Sequence, residues 1–198
     1  NIDGNWSTHA DFYYGAALDS AARWTFNTSL ECDYSNSADF FTETGGLTSS
    51  PYRSSVRNAG IRPGLGSTMK IGKAELSAFG SLRWHHVSSR RANFTNISSY
   101  EYRYGLDCRT PLAWGVDLNT GIVMYSRRGY SEPAMNDDNL VWNAVLTRTF
   151  FKNKSMTFKL EGFDLLGQLN NVRSEVNAQG RTETWTNTFP RYVMLRII

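Results

Sequence analysis

Three sets of residues could do chemistry by their type and spacing. Ser7, His9 and Asp11 stand at i, i+2 and i+4, the inventory of a hydrolytic triad; His85 and His86 are adjacent imidazoles; Cys32 and Cys108 are the two thiols. Each has a plainer reading. On one strand, successive same-face Cα atoms lie ~6.6 Å apart, too far for an easy direct relay, and a triad is defined by geometry rather than composition. Neighbouring strand residues point to opposite faces, so His85 and His86 cannot share one metal ion, and His9 has no partner by spacing. Two cysteines make neither a disulfide framework nor a metal cluster. The acids Glu31, Asp33, Glu75, Glu101, Asp107, Asp117 and Glu161 could be paired for acid–base work. However, Arg23, Arg83, Arg103, Arg109 and Lys159 share their face, and cross-strand ion pairs are the expected result. No Gly-rich phosphate loop follows a strand. The reading is of a protein that is not an enzyme and holds no cofactor or metal.

The elements that carry these residues follow from a period of two. Between positions 23 and 34, Trp24, Phe26, Leu30, Cys32 and Tyr34 alternate with Arg23, Thr25, Asn27, Ser29, Glu31 and Asp33. A helix would not sort residues in that way. The same division places Tyr100, Tyr102, Tyr104, Leu106 and Cys108 against Glu101, Arg103, Asp107 and Arg109, and Met156, Phe158 and Leu160 against Thr157, Lys159 and Glu161. With the fainter cases, the alternation predicts strands at 6–18, 22–36, 55–71, 73–88, 97–109, 112–127, 138–151, 154–166 and 182–198. The links alternate too. Short ones fall at 19–21, 72, 110–111 and 152–153, and long ones at 37–54, 89–96, 128–137 and 167–181. In an up-and-down antiparallel sheet alternate links share an end, so short turns gather at one edge and long loops at the other, which is the plan of an outer-membrane barrel.

Length, composition and ring placement agree with that plan. The chain has 198 residues, which predicts a single barrel segment over 1–198, and only 20% are charged, with a net charge of +3 and no basic block of the kind that binds nucleic acid. No apolar run approaches the ~18 residues of a spanning helix. Following strand direction, Trp6, Trp84, Trp142 and Trp185 fall toward the long-loop end and Trp24 and Trp114 toward the short-turn end, as two headgroup girdles would require. The strands are longer than the ~5 to 6 residues usual in soluble domains.

In the last third periodicity gives way to specific blocks: Asp138-Asn139-Leu140-Val141-Trp142-Asn143, then Phe150-Phe151-Lys152-Asn153-Lys154, then Leu160-Glu161-Gly162-Phe163-Asp164-Leu165-Leu166-Gly167-Gln168, and Thr184 through Leu195. In these blocks the chain resembles the C-terminal end of the outer-membrane β-barrel family related to TonB-dependent receptors and abundant in Bacteroidota. Two departures stand out: Gly167 replaces the Asn common after Asp-Leu-Leu, and the chain stops at Ile198 without a final aromatic residue.

The resemblance implies an all-β, antiparallel up-and-down transmembrane β-barrel, with about nine strands as the C-terminal part of a larger barrel whose plug domain and N-terminal strands lie elsewhere. It implies a bacterial outer-membrane location, the lipid bilayer as partner, and a role in binding or importing a ligand. The TonB energy-coupling system and a surface lipoprotein would be partners of the full-length protein. The long loops would then meet the ligand, with Tyr52, Arg53, Arg127, Arg128, Tyr130 and Arg173 as the binding candidates. The alternatives are a soluble, lipocalin-like small-molecule-binding barrel with its faces reversed, and a structural outer-membrane surface barrel without transport.

Overall fold

The period-two segments form long antiparallel strands. The computed structural model describes residues 3–41, 51–90, 94–130, 133–151, 156–169, 172–176, 181–185 and 191–198. The strands are β1 (Trp6–Ala17), β2 (Trp24–Phe41), β3 (Tyr52–Ile71), β4 (Ala74–Ser89), β5 (Ile97–Pro111), β6 (Val116–Arg128), β7 (Asp138–Phe150), β8 (Met156–Phe163), β9 (Val172–Val176), β10 (Arg181–Trp185) and β11 (Tyr192–Ile197). One 9-stranded meander runs β1-β2-β3-β4-β5-β6-β7-β8-β11, and β9 and β10 form a separate two-stranded sheet.

The links alternate as expected. Those at 18–23, 72–73, 112–115 and 151–155 lie at one edge, and those at 42–51, 90–96, 129–137 and 164–191 at the other. Gly72, at φ +60, turns the chain between β3 and β4 in a conformation that side chains disfavour. Short 3-10 turns interrupt the chain at Ala113–Gly115 and Pro133–Met135.

The nine strands form an open sheet, not a closed barrel: the ladder ends at β1 and β11, and each has a strand partner on one side only among the described residues. One expectation is corrected. The strand expected at 182–198 is divided. Arg181–Trp185 pairs with Val172–Val176, inside the stretch expected to be loop, and only Tyr192–Ile197 joins the main sheet against β8. Pro190, which lacks the N–H a ladder needs, falls between the two pieces.

The register gives the sheet a stagger. A paired row that starts at Trp24, the first residue of β2, passes through Met69, Leu76, Cys108, Thr120 and Ala144 to Gly162, near the far end of β8. The row therefore climbs from the short-turn edge toward the long-loop edge, the slide that accompanies strand tilt in a barrel wall.

Directly paired residues share a face, so the rows also define two surfaces. One carries Leu65, Gly80, Tyr104, Met124 and Leu140 in a row, and Leu118, Leu146, Leu160 and Leu195 in another. The other carries Tyr13, Ser29, Gly64, Ser81, Arg103, Tyr125 and Asn139. Exposure is inverted relative to a water-soluble sheet. Leu65 is 59% exposed and Leu106 61%, while Arg62, Gly64 and Gly66 on the opposite face of β3 are half-buried. Leu160 is exposed between half-buried Lys159 and Glu161. Among the described residues the buried apolar side chains are Ala38, Val56, Val87, Met135 and Val141, all near the long-loop edge, where Phe94 and Ile97 pack on Val56 and Val87.

Crowding separates the faces as well. On the polar face a Cβ built on Gly64 would stand 2.6 Å from the Ser29 hydroxyl, on Gly66 2.7 Å from the Asn27 side chain, and on Gly105 2.9 Å from the Phe79 ring. On the apolar face a Cβ on Gly80, in the middle of the sheet, would meet nothing nearer than Tyr104 at 3.8 Å, whereas one on Gly162, at the loop edge, would stand 2.7 Å from Leu165. At these mid-sheet positions the polar face is the more tightly packed of the two.

Candidate functional site

The polar face carries the cross-strand ion pairs that its composition called for. Arg62 on β3 meets Glu31 on β2 at 3.0 Å, Arg83 on β4 stands 4.0 Å from Glu101 on β5, and Arg196 on β11 meets Glu161 on β8 at 3.2 Å, with Lys159 on the same carboxylate. These pairs are partly exposed and individually weak; together they leave the face hydrophilic. Arg103 is held differently, over the Phe79 ring at 4.9 Å and beside Tyr125 at 5.7 Å.

The triad inventory is partly brought together. His9 Nε2 and Asp11 Oδ2 are 2.9 Å apart, so these two side chains lean toward each other along β1 despite the Cα spacing. His85 lies opposite Gly60 and Ser99, on the polar face, and His86 opposite Ala59 and Ser98, on the other, where it stacks on Trp84. Among the described residues no three His, Cys, Asp or Glu side chains are gathered for a metal ion, and Cys32 and Cys108 are free thiols.

The loop-rim candidates occupy a bonded rim. Arg127, the penultimate residue of β6, grips Asp137 through Nε at 2.9 Å and Nη2 at 3.1 Å. Asp137 also accepts from Asn139 at 2.9 Å. Arg128 pairs with Asp138 at 2.6 Å and donates to the Arg127 and Asp137 carbonyls. Tyr130 and Asn136 exchange two bonds, Tyr130 N–H to Asn136 Oδ1 at 3.0 Å and Asn136 Nδ2 to the Tyr130 carbonyl at 2.8 Å. The 129–137 link is thereby closed on itself. Arg53 donates to the Asp3 carbonyl, and Tyr52 opens β3 with its ring exposed. Arg173 lies on β9, and its side chain falls outside the described residues.

Sequence reasoning missed the junction of the two best-marked blocks. Asn143 Oδ1 accepts the Asp164 N–H at 2.9 Å, the Trp142 carbonyl accepts the Leu165 N–H at 2.8 Å, and Gln168 Oε1 accepts the Leu140 N–H at 3.4 Å. Asp164 is 0% exposed, at φ 45, and its carboxylate accepts the N–H groups of Gln168 at 3.2 Å and Leu169 at 3.0 Å. Gly162 is required beside it, since a Cβ there would stand 2.7 Å from the Leu165 side chain. The Asn and Gly-x-Asp-Leu residues were visible as motifs; their mutual contact was not, because it spans two strands.

The indole rings mark both edges. Trp24 at the short-turn edge donates its ring N–H to Ser67 at 2.8 Å, and Trp142 toward the loop edge donates to Thr120 at 2.9 Å, each hydroxyl coming from the adjacent strand. Trp24 is further tied by its backbone N–H to the Asp19 carboxylate at 2.8 Å. That bond, with Arg23 at 3.1 Å, holds the Asp19 carboxyl below its ordinary value of 3.8. Trp114, in the turn after β5, is 85% exposed.

No family model matches the chain, and no curated protein or solved structure matches it.

Proposed function

We propose that this chain forms part of the wall of a bacterial outer-membrane barrel of the TonB-dependent-receptor type, and that the barrel binds or imports a ligand. The observation that carries the reading is the inverted exposure. Across the main sheet the leucines, with Trp24, Trp84, Trp142, Tyr102 and Tyr104, stand on the uncrowded face without a covering layer, while the Arg62–Glu31, Arg83–Glu101 and Arg196–Glu161 pairs line the crowded one, which also carries Tyr13 and Tyr125. A soluble monomer rarely exposes a contiguous apolar patch of more than a few hundred Å². Hydrocarbon is the environment in which such a face costs nothing, and indoles with satisfied N–H groups suit the two headgroup levels.

Import, TonB coupling and a surface-lipoprotein partner come from the resemblance of the last third and depend on the full-length protein. A soluble lipocalin-like barrel needs the reverse arrangement, with apolar side chains on the more tightly packed side; the crowding of Asn27, Ser29 and Phe79 on the polar side speaks against it. A surface barrel without transport shares the wall and differs only in ligand uptake.

The test is to refold the chain with and without phospholipid vesicles, including lipids brominated along their acyl chains. Quenching of tryptophan fluorescence in the brominated vesicles, with aggregation in plain buffer, is the expected outcome. A monomer that stays folded in plain buffer and is not quenched would end the outer-membrane reading.

A further inference from the structure

Cations stand at both edges of the sheet, and at the short-turn edge they gather around a cleft. At the long-loop rim Arg127 and Arg128 are engaged by Asp137 and Asp138. At the short-turn rim a half-open cleft of about 490 Å³ is lined by Lys73 from the β3–β4 turn, Arg109 at the end of β5, Asp117 and Asn119 on β6, Thr147 on β7 and Lys159 on β8. Lys159 is engaged by Glu161. Lys73 and Arg109 have no carboxylate within ion-pair distance among the described residues, although Glu75 lies opposite Arg109 in the register.

We propose that this cleft is a binding site for a small anion bearing a carboxylate or phosphate group. The Arg109 guanidinium offers a planar fork that matches either group, and Lys73 adds a second point charge. Asn119 and Thr147 supply neutral donors and acceptors, and Asp117 accepts a hydroxyl of the ligand rather than its charge. The volume falls within the ~300–1,000 Å³ of small-molecule sites. The two free cations reach the cleft from a turn and from a strand end, around a cavity rather than along a line, which suits a small anion better than an extended acidic chain. The site goes beyond the outer-membrane reading, and only its placement at the mouth opposite the long loops rests on that reading.

Citrate and inorganic phosphate are the probes, titrated calorimetrically into the folded chain in detergent micelles at low ionic strength; whichever binds more tightly distinguishes a carboxylate from a phosphate ligand. Saturable binding is expected for at least one. The dissociation constant should rise about tenfold or more in the Lys73→Gln/Arg109→Gln double variant, and by a smaller factor in Lys73→Gln alone, whose turn position leaves the sheet intact. Arg90→Gln, at the other rim, should bind as the parent does, and added salt should weaken binding throughout. Binding of neither probe, an unchanged constant in a double variant with parental circular dichroism, or binding of a hexaglutamate peptide alone would overturn the proposal. Vesicle insertion is read separately, so failure of the outer-membrane reading and failure of this site cannot be confused.

Discussion

Asn143 on β7 holds the backbone N–H of Asp164, the residue just past β8, at 2.9 Å. The bond joins two motif blocks that lie 21 residues apart in sequence and ends the β8 ladder at a fixed point, because the Asp164 carboxylate then receives the next free amides. Removing either side chain leaves buried polar groups without partners. Asn143→Ala and Asp164→Ala should each destabilise the folded chain by about 1–3 kcal/mol, measured by denaturant unfolding in micelles. Because the two side chains belong to one network, the double variant should lose less than the sum of the singles. Full additivity would mean that the two blocks fold independently.

Leucine on the uncrowded face separates lipid from water as its surroundings. Leu106 is 61% exposed and Leu160 is 42% exposed, and in a water-facing surface a change to arginine at such sites alters stability by only about 0.5 kcal/mol. In hydrocarbon the same Leu106→Arg and Leu160→Arg changes should cost roughly 2–4 kcal/mol near the bilayer midplane. Urea unfolding from vesicles reads the difference, with Ser81→Arg on the polar face as the comparison. Equal stability of all three variants would remove the lipid-facing assignment.

Phe79 and Gly105 illustrate how the crowded face is packed. The Phe79 ring lies over Gly105, whose added Cβ would also come 2.5 Å from the Ile122 carbonyl. Gly105→Ala should therefore destabilise by about 1–3 kcal/mol, as overpacking does. Phe79→Ala should not restore it, since the backbone carbonyl remains. If Gly105→Ala unfolds with the parental midpoint, the polar face is looser than this packing requires.

Strand positions, the alternation of short and long links and the two chemically distinct faces were legible because each depends on a period of two that a single segment displays. Arg62 with Glu31 illustrates the limit. The acids and bases of the polar face could be listed from the sequence, but which pairs meet depends on register, a relation between strands. The Asn143–Asp164 bond and the unneutralised Lys73 and Arg109 were hidden for the same reason. The strand plan calls for a barrel wall, but whether and where a ladder closes depends on its two edges meeting, and no local pattern encodes that. β9 carries too little alternation in five residues to stand out from the long loop, and β10 merges with the last strand when the sequence alone is followed.

Asp19 provides a pH test at the short-turn edge. Its carboxylate accepts the Trp24 backbone N–H at 2.8 Å and the Arg23 side chain at 3.1 Å, and the carboxyl is held below 3.8 in the folded chain. A carboxyl depressed on folding favours the folded state once ionised in both states. Its contribution is complete above about 3.8 and disappears as pH falls through the lower folded value. Thermal unfolding of the parent and of Asp19→Asn, followed in micelles from neutral to strongly acid pH, should give a constant difference down to the ordinary carboxyl range and a shrinking one below it. Because Asp19 is partly exposed, the difference is small, and Trp24 fluorescence is the more sensitive reading. A difference that grows on acidification would mean that Asp19 strains the turn rather than anchoring Trp24.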